Sequence, residues 1–153
     1  MAARILVADD HEVVRQGIRA ILQVRPHWEI CGEAVDGREA IRLTKQLQPD
    51  VVIMDITMPH TSGLEASQEI AKLQLPSRVL IFTMHESKSL ASSVRRAGAQ
   101  GYVIKSRAGQ DLIDALDRLL AGGTFFDNPS PSGAEGENKP DRNVLLRQAL
   151  SWA

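Results

Sequence analysis

The sequence predicts an α/β domain in which five parallel strands form a doubly wound sheet with helices on both faces. Three observations carry that prediction. Short apolar runs recur five times between Arg4 and Ile104. Between them the apolar residues fall three and four apart, which is the helical period. The connections are too long for hairpins, so the strands must be joined by right-handed crossover units.

Arg4 to Ala8 is the first apolar run and stops at Asp9-Asp10. Val13, Val14, Ile18, Ile21 and Leu22 then mark an amphipathic helix with Asp10 as its expected N-cap, ended by Pro26. Trp28 to Val35 reads as the second strand and Asp36-Gly37 as a turn. Ala40, Ile41, Leu43, Thr44 and Leu47 form the apolar side of a helix that stops before Pro49. Val51 to Asp55 is a fully buried strand, and the chain must leave the sheet just beyond it because Pro59 lacks the amide hydrogen of a central strand. Leu64, Ile70, Ala71 and Leu73 mark a third helix, ended by Pro76. Arg78 to Phe82 is a strand closed by Thr83. Glu86 to Ala97 predicts a weaker, Ser- and Ala-rich helix with Gly98 as a left-handed cap. Gly101 to Ile104 is the last strand and ends at Lys105. Asp111 to Ala121 carries Leu112, Ile113, Leu116, Leu119 and Leu120 at helical spacing, stopped by Gly122-Gly123.

With 153 residues, 43% of them hydrophobic, the chain can bury a real core. Its formal net charge of -1 leaves no basic excess for nucleic acid or an anionic membrane. A single cysteine, Cys31, excludes an internal disulfide and a cysteine-cluster metal site, and it reads as a small buried hydrophobe. No segment approaches the roughly 18 apolar residues of a membrane span, and the N-terminus does not read as a signal peptide. A cytoplasmic protein is expected.

Asp9, Asp10, Asp55, Thr83 and Lys105 all stand at the ends of strands, so in a parallel sheet they project from one edge. That edge is where open α/β sheets bind ligands. Three carboxylates held together repel, and a divalent cation relieves the repulsion. Hard oxygen ligands of this number suit Mg²⁺, which keeps waters for a phosphate to displace. Lys105 supplies positive charge and the Thr83 hydroxyl a donor, so the set describes a phosphoryl site in which an Asp carboxylate can itself attack phosphorus. Taken singly, Asp9 or Asp10 reads as a helix cap and Tyr102 as a core aromatic. His11, His27, His60 and His85 lack metal-ligand spacing and read as loop or surface residues.

These stretches resemble the receiver domains of two-component response regulators over about residues 3 to 125. ILVADDH is similar to the family's acid pair, VVIMDITMPHTSGLEA to its phosphorylation loop, VLIFTMHE to its switch threonine and GAQGYVIKS to the segment holding the switch aromatic and lysine. The resemblance implies a flavodoxin-like strand order 2-1-3-4-5, with Asp55 as phosphoacceptor. It implies that Asp10, Asp55 and the Thr57 backbone carbonyl ligate Mg²⁺, with Asp9 acting through water. It makes Lys105 the phosphoryl partner, Thr83 and Tyr102 the moving switch residues, and Thr57, Met84 and His85 positions that tune access and acyl-phosphate lifetime. Thr83-Met84-His85 and Lys105-Ser106 resemble the NarL/FixJ (LuxR-type) subfamily. Ser106 stands where many receivers carry proline, often after a cis bond. The implied partner is a sensor histidine kinase or phosphotransfer protein, and the first and last helices could form a homodimer surface.

Residues 1–126 are thus expected to form the receiver, 127–140 a disordered linker rich in Pro, Gly, Ser and acid, and 141–153 a short tail that could be helical. The helix-turn-helix output domain of the subfamily is not expected in this chain, and neither is DNA binding. The reading is of a signalling switch more than an enzyme. Its competitors are a pseudo-receiver that binds partners without phosphorylation and an Asp-nucleophile phosphatase of the haloacid dehalogenase type. The latter usually has a second Asp where this chain has Thr57. No glycine fingerprint of a dinucleotide oxidoreductase follows the first strand.

Overall fold

The structure, a computed structural model, describes residues 2–84 and 86–126. Five strands alternate with five helices: β1 (Ala3–Ala8), α1 (Glu12–Leu22), β2 (Trp28–Ala34), α2 (Gly37–Leu47), β3 (Val51–Asp55), α3 (Gly63–Lys72), β4 (Arg78–Thr83), α4 (Leu90–Arg96), β5 (Gly101–Ile104) and α5 (Ala108–Leu120). All pairings are parallel and the strand order is β2-β1-β3-β4-β5, as expected.

Side-chain alternation along the strands divides the apolar residues into two cores. Leu6, Met54, Ile81 and Tyr102 face α2, α3 and α4, where Ala40, Ala66, Ile70 and Val94 meet them. Ile5, Ile53, Leu80 and Val103 face α1 and α5, against Ile18, Leu112, Leu116 and Leu119. The central β3 is buried throughout.

Helix ends follow local chemistry where a capping side chain exists. Asp36 is no simple turn residue: its carboxylate accepts from Glu39 N–H at 2.8 Å and caps α2. Ser62 and Glu65 form a reciprocal capping box on α3. Gly98 takes φ +85°, the left-handed conformation predicted for it.

Three boundaries differ from expectation. First, α1 starts after His11, not Asp10, because Asp9 Oδ1 accepts the His11 amide at 2.8 Å and holds the chain extended for one residue more. Val13 lies about 100° around the helix from Val14 and is 77% exposed, outside the apolar stripe. Second, α4 starts at Leu90 instead of Glu86, behind an N-cap, Ser89, that makes no side-chain cap bond. Third, α5 starts at Ala108, three residues earlier than its apolar period indicated, after a short 3₁₀ turn at Lys105–Arg107. The Lys105–Ser106 peptide is trans. Cys31 is half-buried, at a register shift between β1 and β2, and burial pushes its thiol pKa up. The expectations for 127–140 and 141–153 fall outside the described residues.

Candidate functional site at the carboxyl edge of the sheet

Register brings the acids together. Ala8 pairs with Met54, so Asp9 and Asp55, one residue on in each strand, stand side by side. Alternation places both on the α1/α5 side, and Lys105, one past Ile104, falls on that side too. Its ammonium lies 2.9 Å from Asp9 Oδ2 and 3.3 Å from Asp55 Oδ1. Asp9 is 1% and Asp55 4% exposed, so both acids are held where water screens little. Asp10 is more open. One ligand atom each from Asp9, Asp10, His11 and Asp55 lies within 4.8 Å of the others.

Burial raises the Asp55 pKa above its ordinary value, and the Asp9 charge raises it further, against the opposing pull of Lys105. One ammonium therefore does not neutralise the cluster. A bound cation would, and the three carboxylates offer hard oxygens of the kind that suit Mg²⁺, beside the His11 ring nitrogen.

The loop after β3 is shaped around Asp55. Gly63 N–H donates to Ile56 O at 2.8 Å, drawing the start of α3 against the strand end. A Cβ on Gly63 would stand 2.0 Å from the Asp55 carbonyl oxygen and 2.8 Å from its carbonyl carbon. Gly63→Ala is therefore expected to push α3 off the site and destabilise the fold by about 1–3 kcal/mol. Urea denaturation checks this, and an unchanged midpoint would contradict it. Thr57 is exposed, with its amide 3.5 Å from Asp55 Oδ1.

Not every expected residue joins the acids. Thr83 and Tyr102 are buried, 4% and 6% exposed, but alternation sets them on the opposite, α4-side face of the sheet. Met84 is 66% exposed, and His85 lies outside the described residues.

Two residues enter the site that sequence reasoning left out. His11, read as a loop or surface histidine, places Nδ1 3.1 Å from Asp9 Oδ1 and 3.1 Å from Asp10 Oδ1. Its adjacency to the acid pair was the available signal. Arg15, inside the α1 pattern, is 9% exposed and donates to the Asp9 carbonyl at 2.6 Å and to Glu33 at 2.8 Å. It also pairs with Glu12. The guanidinium thus ties the backbone of the acid pair to β2.

Fold and site together define a doubly wound α/β domain with a buried acidic cluster and one lysine at its ligand-binding edge. The family profile described as "Response regulator receiver domain" matches residues 5–117, and the chain belongs to that family. It is 33% identical over 123 residues to the transcriptional regulatory protein DegU of Brevibacillus brevis, covering 80% of this chain and 52% of that one. It is 39% identical over 125 residues to the oxygen regulatory protein NreC of Staphylococcus carnosus, covering 81% and 58%. The chain thus spans little more than half the length of these relatives. Among solved structures, a LuxR-family two-component response regulator from an Aurantimonas species superposes with TM-score 0.80 at 40% identity, covering 88% of this chain and 94% of that one. The isolated receiver domain of RcsB from Salmonella enterica, determined with the phosphomimetic BeF₃⁻, superposes with TM-score 0.76 at 27% identity, covering 84% and 95%. The chain is a two-component receiver domain whose homologues are LuxR/NarL-type regulators, a class of signalling switch. Among the described residues no helix is long and apolar enough to cross a membrane.

Proposed function

We propose that Asp55 accepts a phosphoryl group and that the resulting charge drives the switch. The observation that carries this reading is Lys105, whose ammonium lies 2.9 Å from Asp9 and 3.3 Å from Asp55 beside a cluster that remains over-acidic. A carboxylate oxygen of Asp55 attacks phosphorus in line, the bond to the donor nitrogen of a phosphohistidine breaks, and an acyl phosphate forms. Lys105 then follows the phosphoryl oxygens. Asp10, Asp55 and the Thr57 carbonyl would hold Mg²⁺, with Asp9 acting through water. The ion supplies charge neutralisation for the transferred group.

The donor is a sensor histidine kinase or a phosphotransfer protein, and the setting is cytoplasmic. Thr83 and Tyr102 shift with the phosphoryl state and change the face formed by α4, β5 and α5. Thr57, Met84 and His85 tune access and acyl-phosphate lifetime, and water hydrolyses the product at a rate the domain itself sets. Residues 1–126 are the switch, 127–140 a linker and 141–153 a tail. Phosphorylation could favour a homodimer through α1 and α5. No direct DNA contact is assigned to this chain, whose net charge of -1 offers no electrostatic footprint.

Radiolabelled acetyl phosphate with Mg²⁺ is expected to label the protein through a bond that hydroxylamine cleaves, as it does an acyl phosphate. A label resistant to hydroxylamine would place the phosphate on a hydroxyl and refute the reading. Steady turnover of a phosphate ester would instead favour the phosphatase.

A further inference from the structure

The chain does not leave the sheet when α5 ends. Gly122, at φ +93°, turns it back, and Phe125 forms a parallel bridge with Gly101 at the outer edge of β5. Tyr102 N–H donates to the Phe125 carbonyl and Phe125 N–H to the Gln100 carbonyl, both at 3.0 Å. The approach requires the glycine, since a Cβ on Gly101 would stand 2.6 Å from Phe125 O. A single bridge at Phe125 thus caps the outer edge of the five-stranded sheet.

The two phenylalanines then divide between the two cores. Phe125 is 3% exposed among the α1/α5-side residues. Phe126 packs against the other core, with its ring 6.4 Å from that of Tyr102 at an edge-on angle of 66°. The Arg95 guanidinium of α4 lies 3.9 Å from the Phe126 ring centroid. Tyr102 is thereby flanked by the edge segment through both its amide and its ring.

We propose that Phe126, with Arg95 against it, is a positioning residue of the switch. It holds Tyr102 in its buried position and so couples the phosphoryl state of Asp55 to the edge segment of Phe125 and Phe126 beside β5. The proposal rests on the reading of Tyr102 as the switch aromatic and adds the element that reads it. Coupling is reciprocal. If buried Tyr102 belongs to the phosphorylated state, whatever holds it there must tighten the binding of a phosphoryl mimic, and removing that support must weaken it.

The test uses the full chain with BeF₃⁻ at saturating Mg²⁺, followed by hydrogen exchange of the peptides that contain Tyr102 and Phe125. Wild type is expected to gain protection at both amides. Phe126→Ala should need at least about fivefold more BeF₃⁻ for the same gain. Phe126→Trp, which keeps an aromatic cover, should restore wild-type affinity. Arg95→Gln, at an exposed position, should shift affinity in the same direction as Phe126→Ala while leaving the core intact. Affinity for Mg²⁺ alone should not change in any variant, whereas a merely structural defect at the edge would leave the BeF₃⁻ affinity where it was. Wild-type BeF₃⁻ affinity in Phe126→Ala overturns the proposal and leaves the reading of Asp55 intact. Failure of wild type to bind BeF₃⁻ with Mg²⁺ overturns both.

Discussion

Asp55→Asn is expected to melt several degrees above wild type at neutral pH without Mg²⁺, and to lose most of the stabilisation that Mg²⁺ gives wild type. Burial first, and the Asp9 charge second, hold the Asp55 pKa above its ordinary value. A carboxyl shifted in that direction favours the fold fully below its unfolded pKa. That contribution is lost as pH rises through the higher folded value, so at neutral pH the ionised group detracts from stability. Asparagine keeps the shape and removes the charge, while Lys105 keeps its 2.9 Å partner in Asp9. In wild type a cation at 100 times its Kd adds about 2.7 kcal/mol. Thermal melts from about pH 4 to about pH 8, with and without Mg²⁺, should show the variant's advantage growing with pH until the metal reverses it. A variant less stable than metal-free wild type at neutral pH would contradict this account.

Lys105→Met is expected to cost roughly 3 kcal/mol of stability without metal, the low end of what breaking a buried ion pair costs. Methionine can still lie along the apolar path of the lysine stem, whose ammonium is 5.7 Å from the Phe82 ring centroid, so the loss is chiefly of charge. Asp9, 1% exposed, would lose the ammonium bound to Oδ2. The His11 amide, still bound to Oδ1, keeps the cost from rising further. Adding Asp9→Asn to Lys105→Met should recover most of the loss, a coupling that a double-mutant cycle in urea measures. A loss below about 1 kcal/mol would mean that Asp9 is better screened than its burial indicates.

The acid cluster was legible because β1, β3 and β5 each end where apolar residues meet a charge, and a parallel sheet carries those ends to one edge. Which face each residue takes was less legible, since it depends on where the strand stops; Thr83 shares the edge with Asp55 but lies across the sheet from it. His11 was missed because its place beside the acids depends on α1 starting one residue later, which Asp9 dictates through a hydrogen bond. Arg15 was missed because a charge inside an apolar stripe reads as its margin. It is buried only because Glu33 of β2 and the Asp9 carbonyl meet it there. The return of Phe125 and Phe126 to β5 spans too few residues to carry a period, and only Gly101 across from it hints at the close approach.

The switch depends on Asp55 carrying the phosphoryl group. Intact mass after incubation with acetyl phosphate and Mg²⁺ tests it most directly, run beside Asp55→Asn and beside wild type with chelator. One phosphoryl increment in wild type, absent from both controls, is the predicted result. An equal increment on Asp55→Asn, or none on folded wild type, would contradict it.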